Sequence, residues 1–167
     1  MNRVSLSGTW EFRLENERDW RPIPVPGCWE AIGIRKDTAG PAWYRARFVV
    51  PKEFRGQRIW IRFGAVSYRC VVTVNGQQVG THIGMWDAFA FEVTHAVQPG
   101  EAVELLVQVE KPASLTNGPD SAAAPGNVHL RETLAGFLPY VWGHAFGGIW
   151  QDVELVATAQ MTFEDVT

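Results

Sequence analysis

A chain of 167 residues, 46% hydrophobic and 20% charged, has the length of one domain with a full core and is short for two. A net charge of −3 without any run of Lys or Arg argues against a nucleic-acid partner. No apolar run reaches the ~20 residues that a membrane helix needs, so no membrane partner is expected.

The chain opens directly on a strand-like pattern without an apolar leader, which points to the cytoplasm. Alternation with period two then recurs along its length. In 9–14 it places Trp10, Phe12 and Leu14 on one face and Glu11 and Arg13 on the other. Segment 43–51 alternates similarly and stops at Pro51, and 58–66 turns Ile59, Ile61 and Phe63 inward. In 70–80, Asn75-Gly76 between two extended runs calls for a type I′ hairpin, because both central residues need positive φ. Segments 88–94, 102–110 and 150–157 complete seven to nine expected strands. A short helical turn is expected over 94–101, capped by Thr94 and ended by Pro99-Gly100. Short strands spaced by turn residues read as an all-β antiparallel jelly-roll sandwich.

Two long connections interrupt the pattern. Residues 26–42 carry Gly and Pro at each end, and 111–147 is longer still, in the range where loops tend to be functional. The first half of the second loop is small and polar. Its second half, with Phe137, Tyr140, Trp142 and Phe146, is too aromatic to be left in water. It re-enters a strand through Gly147-Gly148, with Ile149 and Trp150 as anchors.

Chemistry is sparse. Glu11, Glu92, Glu104, Asp152 and Glu154 fall on outward strand positions, which is where ordinary solvent-facing charges sit. No GxSxG elbow is present, and His82, His95, His129 and His144 lack metal-ligand spacing, so no metal is expected. Cys28 and Cys70 read as buried free thiols, with a disulfide as the alternative. Trp86 and Asp87, between Gly84 and a strand, pair an aromatic plane with a carboxylate. That pair suits a sugar, with the ring under its C–H face and the acid on its hydroxyls; the alternative is that Trp86 packs as core.

The ordered segments "LSGTWEF", "IPVPGCWE", "AGPAWYRARFVVP", "GQRIWIRFGAVSYRCVVTVNGQQVGTHIG", "FAFEVT" and "GGIWQDVEL" closely resemble the N-terminal sugar-binding domain of glycoside hydrolase family 2. That family includes β-galactosidases, β-glucuronidases and β-mannosidases. The resemblance implies a galactose-binding-like jelly roll over 1–158, with 159–167 starting a linker to a following domain. An immunoglobulin-like sandwich and a (β/α)8 barrel bearing both catalytic glutamates would be the partner domains. This chain would then hold no catalytic residue and no cofactor, and would meet carbohydrate through the parent enzyme. Asn16-Glu17 copies the family's acid/base dipeptide, but in a polar turn. In family members the loop before "GIW" walls the sugar pocket, which makes Tyr140, Trp142 and His144 candidate substrate-binding residues. Asp37 in the other long loop joins them, alongside Trp86 and Asp87. Several members place an acid six residues before the glycine of "GI"; here that position is Trp142, a departure that sets an aromatic where those members have the acid. An autonomous carbohydrate-binding module and a purely structural interaction domain are the competing readings.

Overall fold

The computed structural model describes residues 1–35, 38–111 and 146–159. Among them, twelve strands alternate with turns and two short 3-10 segments, Trp29–Ile32 and Lys52–Phe54. They are β1 (Asn2–Ser5), β2 (Gly8–Leu14), β3 (Arg21–Val25), β4 (Ala42–Val49), β5 (Arg58–Phe63) and β6 (Val66–Ser67). The series continues with β7 (Arg69–Val74), β8 (Gln77–Ile83), β9 (Phe89–Glu92), β10 (Ala102–Glu110), β11 (Gly148–Ile149) and β12 (Val153–Thr158). A six-stranded sheet in the order β3-β2-β4-β10-β7-β8 faces a four-stranded one, β1-β12-β5-β9, and β11 pairs with β6. Every pairing is antiparallel.

The inward positions of each strand meet between the sheets. Trp10, Phe12, Ile59, Ile61, Phe63, Val103, Leu105, Val107 and Val109 are buried, as their alternation requires, while Leu14 is only partly covered. Burial of each such side chain contributes roughly 1.5–3 kcal/mol, so this interleaved layer dominates the stability. The Asn75-Gly76 turn forms with φ of 49° and 80°, the positive pair that a tight hairpin needs. Both cysteines are free thiols, and burial pushes the Cys70 thiol up to about 12. Cys70 is buried, whereas Cys28 is only partly so.

Three features depart from the sequence pattern. The helical turn expected over 94–101 is reduced to two isolated turns, Ala96 N–H to Val93 O at 2.8 Å and Glu101 N–H to Gln98 O at 3.0 Å, because Thr94 is engaged across the sheet edge. Its Oγ1 accepts the Ile59 N–H at 2.9 Å and donates to Glu92 at 2.9 Å. The last strand starts at Val153 instead of 150, since the Trp150 indole N–H reaches back to the Met85 carbonyl at 2.8 Å and Asp152 O accepts the Gly64 N–H. Finally β3, with Pro22 and Pro24, forms an edge strand, where missing N–H donors are tolerated.

The outward glutamates Glu11, Glu92, Glu104 and Glu154 are paired with arginine, while Asp152 accepts the Ser7 hydroxyl. Arg58 donates to Glu92 at 2.6 and 3.1 Å, and those bonds, aided by Thr94, hold the Glu92 carboxyl down at about 2 against an ordinary 4.5. A folded-state value lowered in this way adds stability above pH 4.5 and loses it as pH falls toward 2. The Glu92→Gln variant should therefore unfold at lower urea than wild type at pH 7, with the difference closing between pH 4.5 and 2 in paired denaturation curves.

Candidate functional site

The two ends of the long connection, Lys111 and Phe146–Gly148, come together beside the 3-10 segment that begins at Trp29. Glu30 is the hub. Its carboxylate takes the Lys111 ammonium at 2.5 Å and the Gly147 N–H at 3.2 Å from each oxygen. The Lys111 side chain is fully buried and that of Glu30 is 10% exposed. Lys111 Nζ also lies 5.8 Å from the centre of the Trp29 ring, and the Lys111 N–H bonds to Ala39 O at 2.9 Å. On the return side, Trp29 N–H donates to Gly147 O and Gly27 N–H to Ile149 O, each at 2.9 Å. Ser67 Oγ donates to Phe146 O at 2.6 Å.

This convergence explains the double glycine. A Cβ on Gly147 would stand 2.3 Å from the buried Trp29 ring, and one on Gly148 2.4 Å from the Tyr44 hydroxyl. Gly148 also has φ of +127°, which disfavours any side chain. Among the described residues the buried Trp29 Nε1 has no hydrogen-bond partner, and burial drives the Tyr44 hydroxyl above its ordinary titration range, partly offset by the Ile149 backbone.

Beside the return point, Trp86, Phe146 and Trp150 form an edge-to-face triad with ring centres 5.3 to 6.2 Å apart. Met85 turns into the core and Trp86 stays 43% exposed, with Asp87 exposed next to it. His82 stacks on Phe89 at 3.9 Å, and its buried Nδ1 has no partner among the described residues. Burial lowers the His82 pKa, which Asp87 partly offsets. A Cβ on Gly84 would meet both Asp87 Oδ2 and the His82 ring, which places that acid and imidazole around one turn. The site thus sets a half-exposed aromatic ring beside a carboxylate, a pairing suited to stacking and hydrogen bonding.

Of the sequence candidates, Trp86 and Asp87 lie together here, while Asp37, Tyr140, Trp142 and His144 lie outside the described residues. Glu17 of the "NE" dipeptide closes its own turn: it accepts the Leu14 N–H at 2.9 Å and pairs with Arg21, and both contacts lower its pKa. Glu11, Glu104 and Glu154 likewise sit in arginine pairs. Glu30 closes the segment "IPVPGCWE", but its pairing with Lys111 escaped the sequence reading, because 81 positions separate the two.

Removing one partner of a buried pair strands the other charge, so Lys111→Met should cost about 3 kcal/mol in urea unfolding. The Glu30→Gln/Lys111→Met double variant removes both charges yet keeps an acceptor for Gly147, and should recover most of that loss. Gly147→Ala should cost about 2 kcal/mol by overpacking against Trp29, measured the same way.

Residues 34–139 match the glycosyl hydrolase 2 galactose-binding domain-like family. The chain is 25% identical to a β-glucuronidase of Paenibacillus borealis over 97% of its length and 28% identical to one of Bacteroides fragilis over 93%. It is 29% identical to a β-galactosidase of Thermoanaerobacter pseudethanolicus over 75% of its length. It spans only 30%, 20% and 15% of these relatives. Among solved structures, β-D-glucuronidase of Dictyoglomus thermophilum superposes with a TM-score of 0.73 at 24% identity, over 95% of this chain and 28% of that one. The Ruminococcus gnavus β-glucuronidase in complex with D-glucuronic acid superposes at 0.71 and 21%, over 93% of this chain and 29% of that one. These likenesses show a shared fold.

Proposed function

The chain belongs to the glycosyl hydrolase 2 galactose-binding domain-like family, and on that premise we propose that it serves a larger glycosidase as a non-catalytic domain. In this reading it supports a catalytic barrel supplied by other sequence and lends its long connection and the Trp86–Asp87 face to the sugar pocket. The parent enzyme would cleave O-glycosyl bonds, with β-glucuronides as the first substrate class to try, since the relatives that align over 93–97% of this chain are β-glucuronidases.

The observation that carries the reading is the investment in the roots of the connection. A buried ion pair, a backbone-to-carboxylate bond and two obligatory close approaches hold Lys111 and Gly147–Gly148, the described residues that flank 112–145, on one spot. Holding that junction is useful where the connection must meet something beyond this sandwich. The short share of the relatives' length agrees with a domain whose chemistry lies elsewhere in the polypeptide.

The exposed Trp86 beside Asp87 favours a second reading, an autonomous carbohydrate-binding module. Calorimetry separates the two. The supporting-domain reading expects no turnover of 4-nitrophenyl β-glucuronide by this chain and a Kd for glucuronic acid and galactose weaker than about 1 mM, near −4 kcal/mol. Tight binding that is lost in Trp86→Ala would establish the module, and turnover by the chain alone would overturn both.

A further inference from the structure

Asn75-Gly76 makes the turn between β7 and β8, yet the side chain of Asn75 bonds outside that turn. Its Oδ1 accepts the Glu104 N–H at 3.0 Å, and its Nδ2 donates to Ala96 O at 2.9 Å. The Asn75 N–H also donates, to Glu104 O at 2.9 Å. Ala96 lies on the chain that leads from β9 of the four-stranded sheet over to β10, just past Thr94, which accepts the Ile59 N–H of β5. One amide thus ties the hairpin of the six-stranded sheet to a crossing segment whose Val93 and Val97 are buried.

The same dipeptide carries a reaction of its own. When the Gly76 nitrogen gives up its proton and bonds to Asn75 Cγ, the Cγ–Nδ2 bond breaks, ammonia leaves and a cyclic imide remains. Water then opens the imide at either carbonyl, to aspartate or to isoaspartate, and nothing is oxidised or reduced. Glycine obstructs this closure least, having no Cβ. Gly76 is exposed, and a Cβ built on it would meet nothing within 4 Å, so no other segment shields it. The restraint is the pinned side chain. With oxygen and nitrogen both bonded to other segments, the Asn75 amide is held from swinging its Cγ onto the Gly76 nitrogen.

We propose that Asn75 is a latent deamidation site, withheld by the fold and released when the β7–β8 turn opens away from β10. Two hydrogen bonds at their usual net strength retard the closure by roughly tenfold or more, and conversion follows the population of the opened turn. The change does not reverse when the turn closes again. An aspartate keeps an acceptor for the Glu104 N–H but sets an oxygen against Ala96 O where a donor stood. An isoaspartate also adds a carbon to the main chain inside a turn that closes on the Val74–Gln77 pair, and the tight positive-φ hairpin has no room for it. The turn therefore records openings of the sandwich as lost ties between its sheets, independently of the sugar-pocket reading.

The test incubates the full chain and the blocked peptide acetyl-TVNGQQ-amide side by side in mildly alkaline buffer, with and without denaturing urea. Proteolytic mapping by mass spectrometry follows position 75 and separates it from Asn117-Gly118, the other such pair in the sequence. Without urea, Asn75 of the chain should convert at least about tenfold more slowly than the peptide. In urea the two rates should coincide. Conversion as fast in the folded chain as in the peptide, or still slow in the unfolded chain, would overturn the proposal. The Asn75→Asp variant should unfold at a lower urea midpoint than wild type or fail to fold, and an unchanged midpoint would overturn the tie to Ala96.

Discussion

One carboxylate governs the geometry of the candidate site. Glu30 sits at the start of a 3-10 turn, 10% exposed, and binds groups from both roots of the long connection. A charge in that position is costly unless it is matched, and Lys111 and the Gly147 N–H match it. With those bonds made, the glycine pair must pass directly over Trp29 and Tyr44, so that any side chain there would collide. The polypeptide is thereby held where it leaves the six-stranded sheet and where it returns to β11. The neighbouring triad of Trp86, Phe146 and Trp150 inherits its position from the same junction, since Phe146 is bonded to Ser67 and Trp150 to Met85.

The sandwich supplies the rigid ground for this arrangement. Two layers of interleaved aliphatic and aromatic side chains fix the strands, and outward faces are covered by arginine–glutamate pairs that need no catalytic explanation. What distinguishes the molecule lies where this regularity stops: at the Glu30 junction, at the exposed Trp86 turn, and at the Asn75 side chain that bridges to β10. Each is a place where chain leaves a ladder and polar main-chain groups require other partners.

Much of the layer structure was legible in the sequence because a strand's period is short and local. Trp10 and Phe12, Ile59 to Phe63 and Val103 to Val109 announce their inward face within a few positions, and Asn75-Gly76 encodes its own turn. The family was legible too, through ordered segments spread along the chain. No helix forms over 94–101 because Thr94 is taken by Ile59 on β5, 35 positions away, a partner that no local pattern shows. Trp86 could not be assigned inward or outward while Met85 stood beside it as an equally apolar tenant of the core. The Glu30–Lys111 pair was invisible for a simpler reason: charge pairing across 81 residues is a consequence of topology and leaves no spacing to read.

Amide hydrogen exchange at Gly147 tests this account most directly, because that single N–H reports whether the carboxylate of Glu30 holds the returning chain. Exchange as slow as that of the neighbouring core amides in β10 is the result expected of an anchored junction. Exchange as fast as that of Gly76 in the exposed hairpin turn would mean that the two roots are not held together, and the role assigned to the connection would fall with them.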